Sequence, residues 1–374
     1  MQIAGLDVNA LDQGRNRTGI QLGIIEGFYG RPWTWQQRES NVAYLARHGY
    51  SFYIYAPKAD PYLRTRWRER HPEDIARNLA ALGGWCRTHG VRFGIGLSPS
   101  RLHEDFGTDA RAVFARKIAE LASFGVDDFA LLFDDMRGDV PDLAARQVAI
   151  VHEAAKHLTG KRIIMCPSYY SDDPVLDRVF GARPAGYLDQ LGAMLDPSID
   201  VFWTGEEICS REISVAHIAR VAETLRRNPF LWDNYPVNDG ARMSQYLHLR
   251  AFTGRTAALR GRVAAHGINP ALQPVLSRIP ALALAELYRS PETYAYGAAF
   301  REAAREVLGP ELAQLVYEDL LLLQDVGLDR LEDKAQLIRS RYSEIDHDGA
   351  REIIAWLDGE YRITDEIVRA QAGE

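Results

Sequence analysis

Eight short apolar segments recur along the first 270 residues, and longer amphipathic or polar stretches separate them. Most of these segments are almost continuously apolar, which is typical of parallel strands that are covered on both faces. They are LGIIEGF (22–28), SFYIYAP (51–57), RFGIGLS (92–98), FALLFDD (129–135), RIIMCPS (162–168), DVFWTGE (200–206), PFLWDNY (229–235) and GRVAAHGIN (261–269).

Four of the intervening stretches place apolar residues at the three- and four-residue spacing of an amphipathic helix. They end in Gly49, Gly90, Gly125 and Gly160, and the next apolar segment begins within two or three residues. Glycine accepts the left-handed backbone that closes a helix. Eight strand–helix units in succession predict an α/β fold, specifically a closed (β/α)8 TIM barrel over residues 20–270.

The strand pattern ends near residue 270, and the remaining sequence has helical periodicity interrupted by proline and glycine. We therefore expect residues 271–374 to form a small all-α helical domain beside the barrel. Residues 1–19 are polar, without the apolar core of a secretory signal, and we expect a loose N-terminal tail there.

Composition excludes several classes of function. The chain has 374 residues and a formal net charge of -7, and it has no basic stripe with interleaved aromatics, so a nucleic-acid partner is not expected. The apolar segments are too short to span a membrane. Three cysteines form neither a disulfide framework nor a zinc motif, which favours a cytoplasmic location unless an export signal has been trimmed.

Hydrogen-bonding and aromatic side chains follow nearly every predicted strand. In a barrel the carboxyl ends of the strands meet at one face, where active sites lie. Carboxylates, amides, a lysine and flat rings suit a hydroxyl-rich ligand, and Gly27 and Gly205 would let the backbone approach it. The residues at these positions are Glu26, Gly27, Phe28, Tyr29, Lys58, Asp60, Asp134, Asp135, Tyr169, Tyr170, Thr204, Trp232, Asp233, Asn234, Asn238, Asp239 and Asn269.

Asp134 and Asp135 are adjacent, which limits the chemistry that they can perform. Their Cα atoms are about 3.8 Å apart, whereas the two carboxyl groups of a glycosidase flank the scissile bond at about 5 to 9.5 Å. A mechanism in which one acid contacts the leaving oxygen fits better. The nucleophile would then be the carbonyl oxygen of a 2-acetamido sugar, with the other aspartate holding its N–H.

Other interpretations of this pair remain open. The two aspartates could ligate Mg²⁺ in a metal-dependent barrel lyase or hydrolase, or cap a helix that starts near Val140. A non-catalytic sugar-binding barrel is a further alternative. The sequence has no H-x-H or H-E-x-x-H motif, and the other strand ends offer more amides and rings than anionic ligands, so we expect neither a metal nor a cofactor.

Six ordered motifs resemble glycoside hydrolase family 84, the O-GlcNAcases and related bacterial β-N-acetylglucosaminidases. The resemblance covers about residues 20–270 and implies a TIM barrel without a metal. It implies a retaining exo-glycosidase that works by substrate assistance through an oxazoline. The motifs are GIIEGFYGRPW (23–33), YIYAPKAD (53–60), LLFDDM (131–136), CPSYY (166–170), FWTG (202–205) and LWDNYPVND (231–239).

The resemblance also implies roles for individual residues. Asp134 would orient and polarise the acetamido nitrogen, and Asp135 would be the general acid and base. Tyr170 and Asn234 would contact the acetamido group, and Trp232 and Thr204 would line its pocket. The 3-hydroxyl would bind Lys58 and the backbone of Gly27, beside Phe28 and Tyr29, and Asp239 with Asn269 would hold the 4- and 6-hydroxyls.

The substrate expected from this resemblance is a terminal β-linked N-acetylglucosamine on a protein or a glycan. Removal of this sugar from Ser or Thr of proteins is the leading hypothesis. In the family, the region after the barrel can help to bind the polypeptide, sometimes through a dimer. A homodimer through residues 271–374 is therefore an expectation for this chain.

Overall fold

The computed structural model describes residues 19–373, so the predicted tail lies outside the described residues except for Gly19. Eight parallel strands form one closed barrel in sequence order, with β1 paired to β8, which confirms the predicted TIM barrel. The strands are β1 Leu22–Glu26, β2 Tyr50–Tyr55, β3 Arg92–Leu97, β4 Asp128–Leu132, β5 Arg162–Cys166, β6 Asp200–Trp203, β7 Phe230–Asp233 and β8 Ala265–Ile268.

Each strand ends one to three residues before the end of the apolar segment that predicted it. The first segment extends to Phe28, whereas β1 ends at Glu26, and the fourth extends to Asp135, whereas β4 ends at Leu132. The polar residues that close these segments therefore belong to the loops at the carboxyl end of the barrel. That position frees their side chains from the strict alternation of a strand.

Helices follow the strands as the periodicity predicts. Gly49, Gly90, Gly125 and Gly160 all adopt positive φ, between 64° and 92°, which confirms their role in ending helices. The helices are α1 Trp35–Ala46, α2 Glu73–Thr88, α3 Thr108–Ser123, α4 Leu143–His157, α5 Val175–Phe180, α6 Tyr187–Met194, α7 Val215–Leu225, α8 Arg278–Arg289, α9 Tyr296–Glu318, α10 Asp333–Ser343, α11 Asp348–Leu357 and α12 Asp365–Ala372.

The connection between β7 and β8 departs from the strand–helix repeat. It contains two single 3₁₀ turns, Met243–Gln245 and Ala257–Leu259, in place of an α-helix. The segment Leu322–Val326, which follows α9, and helix α11 contact this connection. Leu247 donates a backbone hydrogen bond to Leu323 O at 2.9 Å, and Trp356 donates through Nε1 to Ser244 O at 3.1 Å.

Helix α8 takes the place of the last helix of the barrel layer. Arg278 at its start donates to Asn41 of α1 at 2.8 Å, and Tyr50 of β2 donates through its hydroxyl to Ala281 O at 2.9 Å. The following helix, α9, breaks at Gly309, where φ is 75° immediately before Pro310, as the predicted glycine and proline interruptions indicate.

The side chain of Glu26 belongs to the wall of the barrel. Both its carboxylate oxygens accept hydrogen bonds from Arg38 of α1, at 2.8 and 2.7 Å, and one also accepts from Tyr53 of β2. The pair is buried, so each charge is compensated by its partner. No helix among residues 19–373 is both long and apolar enough to cross a membrane.

Candidate active site

A cavity of about 170 Å³ opens at the carboxyl ends of the strands. It is smaller than the roughly 300–1,000 Å³ of drug-sized ligand sites, so it suits one sugar ring better than an oligosaccharide. Most of the predicted site residues share it. Its lining consists of Gly27, Tyr29, Lys58, Asp134, Asp135, Cys166, Tyr170, Thr204, Ile208, Cys209, Trp232, Asn234, Val237, Asp239 and Asn269.

The backbone at Asp135 explains how two adjacent aspartates face one cavity. Successive side chains of a strand point to opposite faces, but β4 ends at Leu132 and Asp135 has a φ of 57°. This left-handed conformation is rare outside glycine and is tolerated by aspartate. The α4 helix begins only at Leu143, with Asp142 at its N-cap position, so Asp134 and Asp135 do not cap it.

Lys58 holds both aspartates. Its Nζ lies 2.5 Å from Asp134 Oδ2 and 2.8 Å from Asp135 Oδ2, and the lysine is buried. A buried cation next to two carboxylates offsets their mutual repulsion and their desolvation. The lysine ammonium therefore occupies the position between the carboxylates that a bridging metal would need. Among residues 19–373, no cluster of three or more His, Cys, Asp or Glu side chains could hold a metal ion.

One oxygen of Asp134 is left without a partner. Oδ2 is held by Lys58, whereas Oδ1 is buried and accepts no hydrogen bond. A buried, unsatisfied carboxylate oxygen costs free energy unless a donor reaches it. Since Asp134 lines the cavity, a ligand N–H or O–H can supply that donor.

Asp135 is surrounded by donors. Tyr29 donates its hydroxyl to Asp135 Oδ2 at 2.7 Å, and Arg64 lies 3.9 Å from the same oxygen. Desolvation by burial raises the pKa of Asp135, but the charges of Lys58 and Arg64 outweigh it and hold this pKa at about 2. In the ligand-free protein Asp135 is therefore an anion at neutral pH.

Two asparagines of the cavity lining, Asn234 and Asn269, form a hydrogen-bond network. Asn234 Oδ1 accepts from Trp232 Nε1 at 3.1 Å and from Asn269 Nδ2 at 3.0 Å. Asn269 Oδ1 in turn accepts from the backbone N–H of Gly27 at 3.2 Å. The network links the ends of β1, β7 and β8, so the amide groups are held in one orientation before a ligand arrives.

Two glycines have different functions from one another. A Cβ on Gly27 would lie 2.2 Å from Trp232, so only glycine allows that ring to pack beneath the cavity. Gly205 does not line the cavity. Its φ is 110°, and a Cβ there would lie 2.3 Å from Ser210 Oγ, so this glycine serves a loop turn, in contrast to the predicted approach to a ligand.

Asp239 lines the cavity beside Tyr29. Its Oδ2 accepts a hydrogen bond from the backbone N–H of Tyr29 at 3.0 Å. Desolvation raises the pKa of Asp239 to about 6, against the opposing effect of that hydrogen bond and of Lys58. Tyr170 and Thr204 also line the cavity, and the Thr204 hydroxyl already donates its proton to Glu207 O at 3.0 Å.

Phe28 was predicted to contact substrate, and the structure places it elsewhere. Its ring is buried and packs against Trp33, with centroids 5.8 Å apart. Both residues lie in the loop after β1, whose backbone brings Tyr29 to the cavity and leaves Phe28 packed on Trp33. The polar residues at strand ends that also lie outside the cavity lining are Glu26, Asp60, Tyr169, Asp233 and Asn238.

These outlying residues stabilise the loops around the site. Asp233 pairs with Arg255 at 2.5 Å and with His266 at 2.9 Å. Asn238 accepts from the backbone of Leu272 at 3.0 Å. They hold the connections after β7 and β8 in place, and their burial explains why they follow strands without facing the ligand.

The sequence patterns did not predict two residues that support the site, Arg64 and Gln371. Arg64 is buried in the loop after β2. Its guanidinium donates to Tyr29 Oη at 3.4 Å and to the backbone carbonyl of Gln371 at 3.2 Å. Gln371 of α12 also pairs with both backbone groups of Gly30, at 2.8 and 3.1 Å. The last helix therefore braces the loop that presents Tyr29. The further lining residues that went unpredicted are Cys166, Ile208, Cys209 and Val237.

Comparison with known proteins agrees with this geometry. Residues 22–321 match the family model described as NAGidase, beta-N-acetylglucosaminidase. The chain is 31% identical over 278 residues to the Protein O-GlcNAcase of Mus musculus and of Rattus norvegicus, covering 72% of the chain. It spans 30% of the length of these relatives.

A solved structure is also similar. It is a mutant of the O-GlcNAc hydrolase of Thermobaculum terrenum, with 30% sequence identity and a TM-score of 0.73. The match covers 93% of this chain and 83% of that one, so it extends beyond the barrel into the C-terminal helices.

Proposed function

The chain belongs to the β-N-acetylglucosaminidase family, glycoside hydrolase family 84, and on that premise we propose that it is a retaining exo-β-N-acetylglucosaminidase working through an oxazoline intermediate. The observation that carries the mechanism is the buried, unpartnered Oδ1 of Asp134 beside a lysine-held Asp135. The first offers an acceptor for an amide N–H, and the second offers a proton carrier.

Asp134 acts on the acetamido group. Its Oδ2 is fixed by Lys58 and its Oδ1 accepts the acetamido N–H, which satisfies the only buried oxygen of this carboxylate that lacks a donor in the described structure. The negative charge beside the N–H increases the electron density on the acetamido carbonyl oxygen. It also stabilises the positive charge that develops on the oxazolinium, in a cavity of low dielectric constant.

Asp135 carries the proton. In the ligand-free state its pKa is about 2 because Lys58 and Arg64 overcome desolvation, so substrate binding must change its surroundings before it can act as an acid. The sugar 3-hydroxyl, by drawing Lys58 toward itself, would leave Asp135 facing the anionic Asp134 in a dry cavity. Loss of a cation and proximity of an anion both raise the pKa of a carboxyl group.

The reaction then balances in two steps. The acetamido carbonyl oxygen forms a bond to C1 while the bond from C1 to the leaving-group oxygen breaks. Asp135 gives its proton to the leaving-group oxygen. Water next attacks C1, the oxazoline ring opens, and Asp135 takes a proton from the water. The acetamido N–H remains bound to Asp134 throughout, so the intermediate is the N-protonated oxazoline, an oxazolinium ion beside the Asp134 anion, and the product keeps the β configuration.

The substrate is a terminal β-linked N-acetylglucosamine, and we propose the sugar on Ser or Thr of proteins as its main source. The small cavity supports an exo action on one ring. The relatives named Protein O-GlcNAcase and the O-GlcNAc hydrolase support the choice of a protein substrate. The expected homodimer through residues 271–374 stays a prediction.

The experiment measures kcat for Asp134→Asn and Asp135→Asn on aryl N-acetylglucosaminides of increasing leaving-group pKa. Each variant should lose roughly 10² to 10⁴ in kcat on poor leaving groups. Only Asp135→Asn should recover kcat/KM on good leaving groups, because the departure of these groups needs no proton, while its kcat stays low because water attack still lacks the base. Asp189→Asn, a change to an exposed aspartate of α6, is the matched control and should keep the full rate.

The same assay separates the alternatives. Wild-type-like rates in both variants would contradict the assignment. Loss of activity on exhaustive chelation would support a metal-dependent enzyme, and absence of turnover with the wild type would leave a sugar-binding barrel.

A further inference from the structure

A second, larger cavity adjoins the sugar pocket. It has a volume of about 640 Å³ and shares Cys209 and Asn234 with the sugar pocket. Its walls come from the loop after β6, the connection between β7 and β8, and the helical region after α8. We call it the arginine groove, after the four arginines that line it: Arg211, Arg242, Arg250 and Arg255.

The charge of this groove contrasts with that of the chain. The whole chain has a net charge of -7, yet four arginines and one carboxylate, Asp325, line the groove. Arg255 forms an ion pair with the buried Asp233, and Arg250 forms one with Asp325 at 2.6 Å. Glu207 and Glu212, which flank this loop in sequence, are not among the lining residues.

Two of the arginines are available for a ligand. Arg211 and Arg242 are exposed, and neither has a side-chain hydrogen bond or ion pair within residues 19–373. An arginine presents a rigid fork of donors that matches a carboxylate. Two unpaired guanidinium groups beside an enzyme pocket therefore create a local preference for anionic partners.

The remaining lining favours a polypeptide over a glycan. Aromatic and sulfur-containing side chains, namely Tyr235, Met243, Tyr246, Phe252 and Tyr296, line the groove together with the arginines. These surfaces accept apolar side chains and peptide backbone. The sugar pocket, by contrast, combines its rings with three carboxylates, Asp134, Asp135 and Asp239, which accept sugar hydroxyls, whereas Asp325 is the one carboxylate that lines the groove.

We propose that the arginine groove binds the polypeptide that carries the sugar and selects acidic residues beside the glycosylated Ser or Thr. This inference rests on the proposed function, since the groove would hold the leaving group of that reaction. Glutamate or aspartate side chains of the substrate would pair with Arg211 and Arg242. Apolar neighbours would lie on the aromatic side chains.

The test compares kcat/KM on three synthetic glycopeptides that differ only in the residues flanking the glycosylated serine, which are Glu, Gln or Lys. The wild type should prefer the Glu peptide over the Gln peptide roughly tenfold, and the Lys peptide should be slowest. The double variant Arg211→Gln/Arg242→Gln should lose this preference, by roughly threefold for each arginine. The preference should also shrink at 1 M salt.

Two controls make the result specific. Arg116→Gln removes an exposed arginine of α3 on the barrel exterior and should leave the preference intact. An aryl N-acetylglucosaminide does not reach far into the groove, so the double variant should hydrolyse it at the wild-type rate. Thermal unfolding of the variants checks that the exposed substitutions leave the fold unchanged.

Each outcome decides the question. Equal rates on the three peptides, no hydrolysis of any of them, or faster cleavage of a carboxylate-bearing disaccharide than of the Glu peptide would overturn the groove assignment, while aryl glycoside turnover would leave the proposed function intact. Absence of aryl glycoside turnover in the wild type would overturn both.

Discussion

The ammonium nitrogen of Lys58 lies 2.8 Å from Oδ2 of Asp135, inside the mouth of the barrel. Desolvation raises the pKa of this carboxyl group, but the positive charges of Lys58 and Arg64 have the larger effect and lower the pKa to about 2. A depressed carboxyl pKa stabilises the fold above the pKa of the unfolded chain, near 3.9, and this contribution is lost as the pH falls toward 2. The lysine is therefore a structural counter-ion as well as a proposed substrate ligand.

Replacing the lysine tests this relationship. Lys58→Met leaves the buried carboxylate of Asp134 without a cation and the half-buried Asp135 with only Arg64, which should lower the free energy of unfolding at pH 7 by about 3 kcal/mol. The loss should shrink at pH 4, where the now unpaired carboxyl groups take up protons. Urea unfolding at the two pH values measures it. Lys156→Met, in an exposed pair with Glu153, should change stability by less than about 1 kcal/mol, and an equal loss at both pH values for Lys58→Met would contradict the account.

Asp239 should govern the acidic limb of the pH profile. Burial raises its pKa to about 6, so in the free enzyme it is ionised above that pH and protonated below it. A carboxylate accepts sugar hydroxyls better than a carboxylic acid does, so kcat/KM should fall below about pH 6 with the loss of one ionisation. Asp239→Asn should lower kcat/KM and remove this limb. A limb that persists unchanged in the variant would assign it to another group.

Gly27 should tolerate no side chain. A Cβ there would meet Trp232 at 2.2 Å, so Gly27→Ala should displace the indole, lower stability by about 1–3 kcal/mol and reduce kcat/KM sharply. Gly84 of α2 is the matched control, because a Cβ there meets nothing within 4 Å. Gly84→Ala should be neutral or stabilising by up to about 1 kcal/mol. Thermal unfolding and aryl glycoside kinetics give both values, and equal effects of the two substitutions would refute the packing argument.

The last helix should influence catalysis from a distance. Gln371 pairs with the N–H and C=O of Gly30, next to Tyr29, whose hydroxyl donates to Asp135. Gln371→Ala should lower kcat several-fold and shift the pH profile of kcat, with little change in the unfolding temperature, because Tyr29 loses its support. Gln336→Ala on the exposed face of α10 should have no effect. A variant of Gln371 with wild-type kinetics would limit the helix to a packing role.

The barrel and the position of its active face could be predicted from sequence for a simple reason. Parallel strands buried on both faces need continuous apolar residues, and helix ends need glycine in the left-handed region, as at Gly49 and Gly125. Polar residues immediately after such strands meet at one face of a closed barrel. Asp134, Asp135 and Lys58 were identified on this basis and by resemblance, and the structure brings them together.

Side-chain direction and remote contacts could not be predicted in this way. Whether Phe28 or Tyr29 enters the cavity depends on the backbone where β1 ends, and Glu26 turns toward Arg38 of the neighbouring helix. Arg64 and Gln371 lie 307 residues apart in sequence, and their hydrogen bond exists only because the last helix returns to the barrel mouth. Such contacts are set by tertiary packing, which local sequence patterns do not encode.

The central claim is that the acetamido group of the substrate is the nucleophile. The most direct test measures kcat/KM for aryl 2-acetamido, difluoroacetamido and trifluoroacetamido glucosides, in which each fluorine weakens the carbonyl oxygen as a nucleophile. The account predicts a steep fall in log kcat/KM with fluorine substitution in the wild type. A rate independent of fluorination would contradict it and would require a nucleophile supplied by the protein.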